Sequence, residues 1–223
     1  MKTVVECDIG KIVTYMDHMG NDNSVVDAAR VSFDKVSSYY TIEQNNKLIN
    51  YLAKHNHWSP FAHTSIKMKF KAPVFIARQL AKHQVGFAWN EVSRRYVDFT
   101  PECWIPDNFR MRAENKKQGS SDEVVKDPEL LQDYKNMCSA ALIMYDRLLE
   151  NGVCPEQARA VLPQSMYTEW VWTGSLYAWA RMVSLRSHET AQAEVRDYAK
   201  AVANVCTNLF PISWRALNEH IRS

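Results

Sequence analysis

Residues 90–96, NEVSRRY, set an amide, a carboxylate, a hydroxyl and two guanidinium groups side by side in Asn90, Glu91, Ser93, Arg94 and Arg95. Such a set can donate to phosphate oxygens and ring carbonyls, while Glu91 accepts from a ring or ribose donor. This is nucleotide-recognition chemistry without a glycine-rich loop. The same residues would equally suit a loop that caps the preceding helix and pairs its own charges. Just upstream, QLAKHQ (79–84) continues a helix expected to end near Gln84. On it Arg78 and Lys82 are four apart, as are Gln79 and His83, so each pair shares adjacent parts of one surface. A plain solvated helix face would look the same.

The elements that must position these groups belong to an ordinary globular chain. Its 223 residues are 46% hydrophobic and 23% charged, which argues against extended disorder and fits one large domain. A net charge of +2 is too small for a protein that wraps nucleic acid and fits small phosphorylated ligands better. Cys7, Cys103, Cys138, Cys154 and Cys206 include no C-x-x-C pair and no histidine at ligand spacing, so neither a zinc site nor a disulfide framework is expected, and a reducing interior is. The N-terminus lacks an apolar signal core and no apolar run approaches a bilayer span, so the expected location is the cytoplasm.

Along the chain, residues 2–16 read as a strand or strand pair broken at Gly10. A short helix follows with Asn23 or Ser24 as its cap, then a longer one capped by Thr41, with Ile42, Leu48, Ile49 and Leu52 on its buried face. Ile66, Met68 and Phe70 alternate with Lys67, Lys69 and Lys71, the pattern of a half-buried strand, and Pro73 suits the first turn of the next helix. Residues 114–128 are the most loop-like and are expected to be a mobile loop or insertion. Helices are expected from 128 to just before Gly152, over 154–163 with a stop near Pro163, over 175–186 and 188–210, and from Pro211 onward, with a strand over 164–174. Trp170, Trp172 and Trp179 are expected in the core and at a subunit interface rather than in a ring-stacking site. The expected fold is α+β: a single helix-rich domain, 1–223, with a small, mostly antiparallel sheet.

RQLAKHQVGFAWNEVSRRY (78–96) resembles the signature of the flavin-dependent thymidylate synthases, an Arg-His-Arg triplet followed by a spacer and serine within a longer Asn-Glu-x-Ser-x-Arg-Tyr pattern. DAARVSF (27–33), HWSPFAH (57–63), ARAVLP (158–163) and LRSHETAQAE (185–194) are similar to further segments of that family, in the same order. Two departures stand out. Lys82-His83-Gln84 replaces Arg-His-Arg, which keeps one charge but loses the planar guanidinium forks, and eight residues rather than seven separate Gln84 from Ser93. In this the chain resembles a subgroup that includes viral members.

The resemblance implies reductive methylation of dUMP to dTMP, with methylenetetrahydrofolate giving the carbon, NADPH the electrons and FAD carrying hydride, and with no cysteine nucleophile. It implies that Arg186 is catalytic, stabilising charge that develops on the pyrimidine. It also implies dUMP contacts from Gln79, Leu80, Ala81, Lys82, Glu91, Val92, Ser93, Arg94, Arg95, Arg159 and Arg186. FAD contacts are implied for Ser59, Lys82, His83, Gln84, Glu91, Ser175, Leu176, Tyr177 and Arg181, with His57 a further candidate. No metal is implied, nor a membrane or stable nucleic-acid partner, and the family forms homotetramers whose active sites are shared between subunits. Plainer roles stay open: Arg159 pairing with Glu156, and Arg186 facing a helix dipole. Two other functions also stay open, a flavoprotein that oxidises NADPH without synthase activity and a nucleic-acid binder using Lys67, Lys69 and Lys71.

Overall fold

The computed structural model describes residues 4–7, 11–114 and 119–221. Strands β1 (Val4–Cys7) and β2 (Lys11–Met19) pair antiparallel, Val4 opposite Thr14 and Cys7 opposite Lys11. The expected Gly10 break lies outside the described residues. Helix α1 (Asp22–Arg30) is capped by Asn21, not by Asn23 or Ser24. Asn21 Oδ1 accepts from the Asn23 and Ser24 amides, and Ser24 Oγ accepts from the Asn21 amide at 3.1 Å, so Ser24 completes a reciprocal box from inside the helix. Helix α2 (Ile42–Lys54) begins after Thr41 as expected, with Gln44 as its box partner. Its buried stripe runs through Asn45, Ile49, Leu52 and Ala53, whereas Ile42, at the open end of that stripe, is 74% exposed.

Strand β3 (Ser65–Pro73) buries Ile66, Met68 and Phe70 completely, in the alternation the sequence implies. Pro73 closes this strand and stands at the N-cap of α3 (Val74–Leu80), one place before the expected first turn. Helix α3 ends at Leu80, not near Gln84. The chain turns through Gly86, whose φ of +79° favours glycine, and enters β4 (Phe87–Glu91), a strand the sequence reading did not foresee. Lys82 and His83 therefore leave the helical register that would have set them beside Arg78 and Gln79.

Beyond these lie β5 (Arg110–Arg112), β6 (Ser120–Val124), α4 (Pro128–Glu150), α5 (Pro155–Ala158), β7 (Tyr167–Gly174), α6 (Leu176–Ser187), α7 (Ala193–Leu209) and α8 (Pro211–His220). Within 114–128, Ser120–Val124 is not loop: as β6 it pairs antiparallel with β5, giving backbone groups of this polar stretch ladder partners. Helix α7 starts five residues later than expected because His188-Glu189-Thr190 bonds to itself, the His188 ring accepting from the Thr190 amide at 3.3 Å. Five strands form one sheet in the order β1-β2-β3-β7-β4, and β5-β6 form a second. Among the described residues no helix is long and apolar enough to cross a membrane.

The chain divides into two compact units, one of Met1–Phe70, Lys82–Trp89 and Val171–Ser223, the other of Lys71–Ala81 and Asn90–Trp170. In the first, α6 packs on α7 and α2 on α8. Its aromatic core joins Trp172 to Phe87 at 4.5 Å, to Trp179 at 4.8 Å and to Phe70 at 5.5 Å between ring centroids. Gly174 is what admits Phe87, since a Cβ there would fall 2.3 Å from Phe87 Cε1. Asp22 accepts from the Ile212 and Ser213 amides at 3.1 and 2.8 Å, capping α8 from across the sequence. In the second unit Ile76, Leu80, Tyr145, Ala158 and Trp170 are buried. Trp170, Trp172 and Trp179 are thus core residues, each 1% exposed or less.

Candidate active site

The second unit holds a cavity of about 430 Å³ walled by Glu91, Val92, Ser93, Arg94, Arg159, Thr168 and several apolar side chains. Backbone bonds fix its parts: the Val92 amide donates to Glu169 O at 2.9 Å, and the Val74 and Phe75 amides donate to Met166 O and Gln164 O. Thr168 Oγ1 donates to Glu91 Oε1 at 2.7 Å, which holds the carboxylate at the wall. Ser93 is half-buried and accepts the Arg95 amide through Oγ at 3.3 Å.

The two arginines of the motif diverge. Arg94 is buried, donates from Nη1 to Phe99 O, and stacks its guanidinium 4.4 Å from the Phe99 ring. Arg95 does not line the cavity; its Nε pairs with Glu156 Oε1 at 2.9 Å. Arg159 is exposed on the wall and donates from Nε to the Glu156 carbonyl at 3.3 Å. The pairing of Arg159 with the Glu156 carboxylate is not formed; Arg159 meets the Glu156 carbonyl and Arg95 meets the carboxylate.

A cavity of about 280 Å³ in the first unit is lined by Lys82, His83, Gln84, Arg181 and Arg186 with Val85, Phe87, Ala178 and Leu185. Its wall carries three fixed cations and no carboxylate. Arg186 Nε donates to His83 Nε2 at 2.9 Å, so the His83 ring accepts there and is neutral. Burial, then the charges of Arg186 and Arg181, lower its pKa to about 4, and burial also lowers that of Arg186. The His83 value lies below the ordinary 6.5, so the unfolded chain binds the extra proton between those values and folding stability rises with pH across that window. Urea midpoints measured from pH 4 to 7 should climb in the native chain and climb less in His83→Asn; identical profiles would remove His83 as the source.

The remaining expected site residues are spread about these walls. Tyr177 and Arg181 line a third cavity of about 310 Å³, also in the first unit, with Asn56, Trp58 and His220. There Tyr177 donates to Asn56 Oδ1 at 3.2 Å and its ring lies 5.8 Å from that of Trp58. Ser59 follows Trp58 in a 3-10 turn but is not on that wall, and His57 packs edge-on to Tyr51. Ser175 caps α6 through the Ala178 amide. Leu80 and Leu176 are wholly buried, backbone included, while Gln79 and Ala81 line none of these cavities. Lys71, one of three lysines offered as a phosphate-gripping face, is tied to Glu102 at 2.5 Å.

Sequence reasoning missed Thr168, Asn56 and Trp58. Thr168 carried a signal: it is the one hydroxyl in the buried phase of β7, whose other buried positions are Trp170, Trp172 and Gly174. Asn56 has φ +54°, a backbone state that asparagine tolerates better than most residues, but nothing in sequence ties it to Tyr177. Thr168→Val keeps the shape and removes the donor to Glu91. If Glu91 binds the nucleotide, KM for dUMP should rise about tenfold with a smaller change in kcat; unchanged kinetics would make the bond structural only.

Comparison with known proteins agrees with the motif order. The family model described as "Thymidylate synthase complementing protein" matches residues 12–212. The flavin-dependent thymidylate synthase of Thermus thermophilus is 38% identical over 94% of this chain and 76% of its own length, and that of Kosmotoga olearia is 38% identical over 92% and 88%. Among solved structures, a UMP/dUMP methylase PolB from Streptomyces cacaoi with bound 5-Br dUMP superposes with a TM-score of 0.83 at 29% identity, over 94% of this chain and 95% of that one. The match spans both compact units and every motif segment, and the chain belongs to the flavin-dependent thymidylate synthase family.

Proposed function

We propose that the chain methylates dUMP reductively to dTMP, taking the carbon from methylenetetrahydrofolate and electrons from NADPH through FAD. The observation that carries this reading is the cavity of Glu91, Val92, Ser93, Arg94 and Arg159, built by the segments the chain shares with its family. Arg159 and Ser93 meet the phosphate and sugar there, and Glu91, steadied by Thr168, accepts from the nucleotide. Arg95 braces the wall through Glu156; Gln79, Leu80, Ala81 and Lys82 do not line this cavity and are dUMP contacts only on the family resemblance.

The wall of Lys82, His83, Gln84, Arg181 and Arg186 fits the anionic pyrophosphate of FAD, since it offers cations and an amide with no opposing carboxylate. FAD, when bound, supplies the hydride transfer. Ser59, Glu91, Ser175, Leu176 and Tyr177 do not line this wall and are FAD contacts only on the family resemblance. Arg186 keeps its charge at any working pH and stabilises negative charge developing on the pyrimidine, while neutral His83 fixes its orientation without competing for that charge. The working enzyme in this reading is a cytoplasmic homotetramer with sites shared between subunits, each chain, 1–223, acting as one domain and with no stable nucleic-acid partner. The family match across residues 12–212 supports the single-domain reading.

The test is to incubate the protein with dUMP, methylenetetrahydrofolate, FAD and NADPH and look for dTMP by mass spectrometry. Formation of dTMP is the expected result; folded, yellow protein that makes none would overturn the reading.

A further inference from the structure

Behind the candidate nucleotide cavity lies a group of side chains that the reaction does not use. Gln164 and Met166 line the cavity, whereas Ser165 between them does not. It is buried, with Oγ 3.5 Å from the Sγ of Cys138 on α4. Residues 102–104 run alongside: Cys103 pairs with Met166 in an antiparallel bridge, and the Trp104 amide donates to Ser165 O at 2.8 Å. The Tyr167 amide donates to Glu102 O at 2.8 Å. One turn before Cys138, Tyr134 donates to Trp104 O at 3.5 Å, which ties α4 to the same segment. All of these residues belong to the second compact unit.

Into this frame the Cys103 side chain brings a second sulfur. Its thiol hydrogen-bonds to both Cys138 and Ser165, so two thiols from different elements meet at one hydroxyl. Sulfurs in that contact stand near the spacing from which a disulfide closes. Burial, then the neighbouring Cys138, push the Cys103 pKa up to about 11, so at neutral pH the pair rests as thiols. Cys103 is half-buried and Cys138 buried, so a small oxidant meets Cys103 first.

We propose that Cys103 and Cys138 form a reversible modification site behind the nucleotide cavity, oxidised by a small peroxide to a disulfide that ties residues 102–104 to α4. The Cys103 thiolate attacks one peroxide oxygen and the O–O bond breaks, which leaves Cys103 sulfenic acid and, once the thiol proton is taken up, one water. The Cys138 sulfur then attacks the sulfenic sulfur: the S–S bond forms, the S–O bond breaks, and a second water leaves with the Cys138 proton. The two thiols lose two electrons and the peroxide gains them. A dithiol reductant reverses the step by exchange. The site goes beyond the reaction proposed above and does not depend on it.

The test treats the whole chain with hydrogen peroxide, alkylates the remaining thiols in denaturant, digests with trypsin and reads the peptides by mass spectrometry with and without dithiothreitol. The expected product joins residues 96–110, which carry Cys103, to residues 136–147, which carry Cys138, and separates on reduction. The oxidised protein should run as a single chain on a non-reducing gel. Cys103→Ser and Cys138→Ser, each shown folded by circular dichroism, should lose the product, and Cys154→Ser should keep it. The oxidised chain should also unfold at a higher urea midpoint than the reduced one, because the link restricts the unfolded chain, and Cys103→Ser should show no such rise. Both thiols alkylated after peroxide, Cys103 ending as sulfinic acid beside a free Cys138, a link that joins two chains, or an oxidised chain no more stable than the reduced one would each overturn the proposal. None of these outcomes bears on whether dTMP is made.

Discussion

Arg186→Ala is expected to lower turnover about 10²- to 10³-fold while the purified protein stays yellow. The guanidinium is half-buried beside His83 and Arg181, where low polarity strengthens its field. Arg186→Lys should recover little, because Lys places no donor where Nε now meets His83 Nε2. A second readout separates a positioning loss from a lost charge. Without Arg186, the His83 pKa should move up from about 4, but not fully to its ordinary value, since burial is the largest cause of the shift and remains. Titration of the His83 ring by NMR in the two proteins measures this. Wild-type rates in Arg186→Ala would remove Arg186 from the chemistry altogether.

The second large effect is on stability. Trp172→Ala should cost about 3–5 kcal/mol, read as a lower urea midpoint. Trp172 is fully buried and touches the rings of Phe70, Phe87, Trp89 and Trp179, so its loss opens a cavity that stiff neighbours cannot fill. Its indole N–H has no hydrogen-bond partner among the described residues, which makes the loss one of packing. Trp172→Phe should therefore recover most of it. A loss under about 1 kcal/mol in Trp172→Ala would mean that the aromatic cluster collapses around the gap.

What the sequence disclosed followed from local physics. Alternation identified β3, Thr41 marked the start of α2, and the motif residues Glu91 to Arg94 with Arg159 come together on one wall. What it hid depended on contacts distant in sequence. After α3 ends, Gly86 turns the chain beside Ala178 and Ser175, about ninety residues on, and no local pattern encodes that neighbour. The His83–Arg186 bond spans 103 residues, and the Thr168 bond to Glu91 spans 77. The motif also read its two arginines as equal ligands. The structure separates them because Glu156 draws Arg95 away and Phe99 holds Arg94.

The hold of Phe99 on Arg94 bears on the heat of binding. Fastened by its guanidinium to the carbonyl and ring of Phe99, the turn after β4 loses its conformational freedom when the chain folds, not when a ligand arrives. A nucleotide entering that cavity meets donors already in place, so its binding should show a small entropic penalty in calorimetry. Phe99→Ala, which leaves every cavity-lining residue intact, should bind the nucleotide with a more favourable enthalpy and a larger entropic cost, the signature of a loop that must now be ordered by its ligand.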